Sequence, residues 1–350
     1  MQLHHEELVY ARAYSASHAF ESLTDDQLRA IRSAGRDLFA WFKAHPRVNN
    51  AISLAVIAFI FVADYWVLLR LPGILLPLGR DSGWLPLTGT GILVGSLHSY
   101  LLYSLGVFSL HEGAAHNIMF VGKGPLARFG QLVARNLARI AASEPNCYAG
   151  THMAHHAKFG TEDDAEFLNG VFLKRYVLTF LPLAAFVNFS DFIVHRPLTY
   201  TGSRLISAAT ASSYNAVYAF LMYRAFGGPL TALVFLVLLP HVGFYLDRVR
   251  QFTEHNLMPL DNANGSRSFG LGFWGMLVGG GPWGSPCHWE HHLVPSLPWY
   301  QQLILHRFVV HQLTPVQRRQ FLIAPVIGFP MLWWRIVRHM RGVAPATPLV

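Results

Sequence analysis

Charge is what this sequence has least of. Of 350 residues, 27 are Lys or Arg and 19 are Asp or Glu, 13% together, against roughly a quarter in a soluble domain. That excludes an ordinary soluble chain. Cysteine is scarcer still, with two residues, so no disulfide scaffold is available. The 52% of hydrophobic residues exclude intrinsic disorder, and 29 glycines are too few for a collagen-like chain. No repeat at a fixed period and no low-complexity tract occurs. Residues 1–48 hold no apolar run of signal-peptide length, so the N-terminus is expected to be retained.

What remains is an integral membrane protein. Residues 51–69 are interrupted only by Asp64, and residues 87–110 carry no formal charge. Both approach or exceed the ~20 residues a helix needs to span a bilayer. Residues 205–223 and 229–246 are uncharged and read as a hairpin of two further spans around Gly227, Gly228 and Pro229. Residues 176–190 and 321–334 are shorter apolar runs, better suited to interfacial or re-entrant segments. Residues 124–143 mix apolar residues with three arginines, the pattern of a helix lying at the interface. The expected fold is all-α, with about four transmembrane helices and a helical cap. Residues 1–48 form an arm, 49–312 the membrane domain, and 313–350 a C-terminal interfacial segment and tail. Four spans put the arm, residues 111–168 and everything after 247 on one side, which the excess of Lys and Arg marks as cytoplasmic. The net charge of +8 is then explained by basic flanks rather than by nucleic-acid binding.

The other excess is histidine, 19 residues. Eight fall in three groups: His111 and His116 in HEGAAH; His152, His155 and His156 in HMAHH; His288, His291 and His292 in HWEHH. In the last two, the i, i+3, i+4 spacing places three imidazoles on one helical face, where they can converge on a common point. In the first, five residues correspond to about 140° around an ideal helix. There the helix must end, bulge, or present each histidine to a different metal. Eight imidazoles exceed the four positions of a tetrahedral zinc site, so two metal ions are indicated. His98 and His241 lie inside expected spans, where a neutral histidine bonded to a neighbouring helix is the plainer reading. Cys147 and Cys287 adjoin the second and third groups and are read as inert thiols.

HEGAAH at the end of a span, HMAHHAKFGTEDD after an interfacial helix and HWEHHLVPSLPWY after a later span pair resemble the three histidine boxes of the membrane fatty acid desaturase and hydroxylase superfamily. The resemblance covers residues from about 50 to 312. It implies a non-haem di-iron centre at the cytoplasmic face, dioxygen as co-substrate and a lipid acyl substrate. It also implies one more ligand between the second and third boxes, at His255, and a water-bridged polar residue four positions earlier, where this chain has Gln251. Glu112, Glu254, Glu290 and the run Glu162, Asp163, Asp164, Glu166 stand beside the boxes as candidates to orient the imidazoles. No HPGG-type haem segment is found, since AHPR at 44–47 lacks the glycines, so electrons are expected from a separate ferredoxin, rubredoxin or haem protein with its reductase. The same scaffold also serves lipid hydroxylases and carotenoid-type ketolases. A metal transporter is a more distant reading, because its ligands belong near the bilayer midplane rather than at span ends.

Overall fold

The computed structural model describes residues 20–75, 84–140, 145–161, 163–164 and 245–340, together with scattered positions between 205 and 243. Among them the secondary structure is helical, apart from an isolated parallel bridge between Ser268 and Leu322.

Helix α1 (Asp25–Ala44) starts at a capping box, in which Thr24 and Gln27 bond each other's backbone. Helix α2 (Pro46–Tyr65) has proline in its first turn, where the missing N–H costs nothing. It continues through a π turn (Trp66–Arg70) to Leu75. Helix α3 (Trp84–Phe108) runs without a break into a π segment (Ser109–Ala115) that contains His111. The stretches Pro46–Leu75 and Gly89–Ala115 are each long and apolar enough to cross a membrane. Leu54, Phe59, Val62 and Leu69 of the first are exposed, as lipid-facing side chains would be. Of the expected third span, the described positions are helical. The expected fourth lies outside the described residues except at its last few positions, also helical. Residues 176–190 and His241 lie outside them too.

Helix α4 (Pro125–Ile140) occupies the expected interfacial segment, and α5 (Pro145–Lys158) carries the second box. Residues 245–255 form α6, which ends at His255. The short α7 (Phe273–Val278) precedes α8 (His288–Leu293), which is the third box, and α9 (Trp299–Gln312), α10 (Pro315–Phe321) and α11 (Pro325–Met340) complete the described chain. Residues 321–334 belong mostly to α11. Its 16 residues are about 24 Å long at 1.5 Å each, short of a bilayer core.

Two apolar clusters hold the site. Val56 and Ile60 of α2, Leu105 and Phe108 of α3, and Ala134 and Leu137 of α4 pack beneath the first box. Leu23, Ile31, Trp289, Leu297, Leu305 and Phe321 pack beneath the third, with the Trp289 and Phe321 rings stacked at 3.9 Å. Residues from the N-terminal arm and from beyond 312 thus enter the same core as the boxes. The loop between α7 and α8 is tied to α3: Tyr103 Oη donates to Val278 O (2.7 Å), and Ser104 Oγ to Gly280 O (2.6 Å). Gly284 closes that loop where any Cβ would lie 1.9 Å from Gly279 O.

Candidate metal centre

The first box rests on a widened turn. His116 N–H donates to His111 O (3.1 Å) across five residues, the π pattern, and the helix stops at Ala115 with His116 as its cap, so of the outcomes open to HEGAAH the chain takes both the bulge and the end. The second and third boxes are single helical turns in which i and i+4 point within about 40° of each other, while i+3 points about 60° to the other side.

That difference partitions the imidazoles. His116, His152, His156 and His291 form one group, and His155, His255, His288 and His292 another, with ligand atoms within 4.8 Å of one another in each. The expected convergence of each box on one point is therefore corrected. His155 separates from His152 and His156, and His291 from His288 and His292, because i+3 diverges from the i, i+4 pair. His255 joins the second group. His111 lies against the first, its ring 4.8 Å from His152 and 5.1 Å from His291.

His152 Nε2 lies 3.1 Å from each of three other nitrogens, the Nε2 atoms of His116, His156 and His291. One imidazole nitrogen offers a single donor or a single acceptor, so these contacts cannot all be hydrogen bonds. Nitrogens about 2.1 Å from a shared ion and about 90–110° apart lie about 3.0–3.4 Å from each other. In the second group, His288 Nε2 is 2.9 Å from His255 and 3.1 Å from His292, and His155 is 3.3 Å from His292. Both groups fit a metal ion at their centres.

Three outward-facing nitrogens of the second group are held by oxygen. Asp164 takes His155 Nδ1 with both carboxylate oxygens at 2.9 Å and also accepts from Gly160 N. His288 Nδ1 meets Ser285 Oγ at 3.1 Å and stands 3.6 Å from Glu254. His255 Nδ1 faces Gly265 O at 3.3 Å. A proton held at Nδ1 leaves the Nε2 lone pair for a metal. Burial first, then neighbouring imidazoles, push His152, His288, His291 and His292 well below the ordinary histidine pKa, which keeps them in the neutral, ligating form.

The other candidates sit around this shell. Glu254 is bonded twice by Arg250 Nη1, at 2.8 and 3.0 Å. Glu112 accepts from Trp299 N (2.6 Å), joining the first box to the start of α9. Glu290 accepts from Ser268 and from His306 Nδ1 (2.7 Å). Gln251 is engaged by Asp247 and Arg248. Of the acidic run, Asp163 pairs with exposed Lys158, while Glu162 and Glu166 lie outside the described residues. His98 Nδ1 bonds the Asp64 carboxylate between α3 and α2, as a histidine serving helix packing does. Cys287 is buried, and burial raises its thiol pKa. The side chain of Cys147 lies outside the described residues. Cys287, Glu290 and His306 also gather within 4.8 Å, but both Glu290 oxygens are already taken. His306 and Arg250 were not singled out from the sequence. Neither belongs to a histidine box, and nothing in the spacing of its neighbours distinguishes it from a surface residue.

Two four-imidazole groups, one of them beside the end of the apolar stretch Gly89–Ala115, define a class of site: one that could hold metal ions in nitrogen ligands. The fatty acid desaturase family model matches residues 82–322, more than half of the chain, and the chain belongs to that family. No curated protein and no solved structure matches it.

Proposed function

We propose that this chain is an oxygen-dependent desaturase of a lipid acyl chain. Its iron ions are held by His116, His152, His156 and His291 and by His155, His255, His288 and His292, with His111 a ninth nitrogen beside the first group. The observation that carries this reading is the pair of four-imidazole clusters inside a fatty acid desaturase chain. The chemistry supplied by a bound iron pair is oxidation of an unactivated methylene by dioxygen, beyond the reach of any side chain. The chain's own residues keep the imidazoles neutral, fix tautomers through Asp164, Ser285 and Gly265 O, and exclude bulk water by burying all four imidazoles of the second group and His152 and His291 of the first. Electrons come from a separate ferredoxin, rubredoxin or haem protein, and the boxes face the cytoplasm at the ends of four spans.

Expression in a host of known lipid profile, followed by mass spectrometry of its fatty acids and lipid classes, tests the reaction. New double bonds are expected, together with two irons per purified chain. New hydroxyl or keto groups would move the chain to the hydroxylase or ketolase branch. Unchanged lipids with metal flux across vesicles would make it a transporter.

A further inference from the structure

Helix α4 has two unlike faces. Ala127, Gly130, Ala134, Leu137 and Ala138 are buried, and Ala134 packs so closely on the first box that a Cβ on Gly113 would lie 2.7 Å from its own. The opposite face exposes Arg128, Phe129, Leu132, Arg135 and Asn136, with Arg139 half-buried at its side. At 100° per residue the three arginines fall in a stripe about 40° wide, with Leu132 and Phe129 both along one side of it. Phe129 is 63% and Leu132 56% exposed. No residue of α4 is acidic, and among the described residues no ion pair involves these arginines. Only a short loop, 116–124, separates α4 from the end of the apolar stretch Gly89–Ala115.

We propose that this face is a docking surface for an anionic lipid bilayer: Phe129 and Leu132 enter the acyl boundary while Arg128, Arg135 and Arg139 hold phosphate-bearing headgroups. A bilayer answers both halves of the face at once, with negative charge at headgroup depth and apolar contact a few ångströms below. The arginine stems can lie along the apolar layer with their guanidinium groups at the headgroups. An acidic protein partner would answer the arginines and leave two large apolar side chains to be matched separately. Because α4 backs directly onto the first box, the surface also sets how that box sits against the membrane. The inference rests on membrane insertion of the chain and not on the reaction it performs.

The test uses the full chain in nanodiscs of phosphatidylcholine, with and without about one third phosphatidylglycerol. Fluorescent phosphatidylglycerol reports lipid enrichment beside the protein, and hydrogen exchange reports protection of residues 125–140. We expect enrichment of the anionic lipid and stronger protection in its presence. Near-surface basic residues are worth about fivefold each, so the R128Q/R135Q/R139Q variant should lose most of the enrichment while keeping its metal content. Leu132→Ser should lower protection in both lipids. No enrichment around the parent chain, or full enrichment around the triple variant, overturns the proposal. So does a triple variant whose only defect is weaker coupling to an acidic electron carrier. No turnover is needed, so a chain that inserts without desaturating any lipid still tests it.

Discussion

The backbone N–H of His116 donates to the carbonyl of His111, five residues back and 3.1 Å away. An ideal α-helix would set these side chains about 140° apart, whereas a turn closed across five residues brings them to one side of the helix, where the second and third boxes meet them. Packing holds the turn in place, since Gly113 lies against Ala134 with no room for a Cβ between them. Gly113→Ala is therefore expected to cost about 1–3 kcal/mol, as overpacking does, and to weaken metal retention at the group containing His116. Gly113→Ala with Ala134→Gly should recover much of both. Thermal unfolding and metal content of the two variants check this, and a Gly113→Ala protein as stable as its parent would show that packing does not hold the turn.

Asp164 holds His155 through two 2.9 Å contacts and is fully buried. Its neighbour Asp163 is exposed and pairs with Lys158. Loss of such an orienting carboxylate typically costs 10–100-fold in metal affinity. Asp164→Ala is expected to show that loss in chelator competition, and Asp163→Ala to bind metal like the parent. Equal behaviour of the two variants would remove Asp164 from the site.

Much of this site was legible because each box is contiguous: a reader of HMAHH or HWEHH needs only helical geometry to see clustered imidazoles. The partition between centres was harder. It depends on the i+3 side chain pointing away from the i, i+4 pair, and on a third element, α6 with His255, whose position follows from tertiary packing. Carboxylate roles were less legible still. Glu290 sits within the third box yet bonds Ser268 and His306, because its place on α8 faces α9 rather than the imidazoles. Asp164 looked like one charge in an acidic run until the chain turned at Gly160 (φ +69°) and carried it to His155. The two helices long and apolar enough to cross a membrane were readable from length and charge alone.

Four box imidazoles, His152, His288, His291 and His292, have pKa values lowered by burial and then by neighbouring imidazoles. As pH falls through about 6.5, the unfolded chain takes up protons at these positions and the folded chain does not, so stability is lost on acidification. His306 runs the other way: burial works against its charge, but Glu290 outweighs burial and raises it. Its contribution is full below about 6.5 and fades as pH rises through the raised value. Four groups against one predict that the metal-free protein loses stability from pH 7 to pH 5, and that His306→Gln steepens the fall. Thermal unfolding across that range checks both, and a flat profile would contradict the assignment of neutral imidazoles.

His291 and His292 are adjacent in sequence yet belong to different groups, so they test the partition directly. His291→Ala removes a nitrogen from the group of His116, His152 and His156, and His292→Ala one from the group of His155, His255 and His288. On the proposed assignment each variant loses one iron and keeps the other. Metal content should fall from two to about one per chain in both, and to about zero in the double variant, with product formation abolished throughout. His306→Ala, outside both groups, should keep both ions. Metal analysis of the purified proteins decides the matter. If the double variant still carries one iron, both histidines serve a single centre and the four-and-four division fails. If each single variant loses both ions, the centres fill only as a pair, through the packing that sets His156 and His292 with ring centroids 4.8 Å apart.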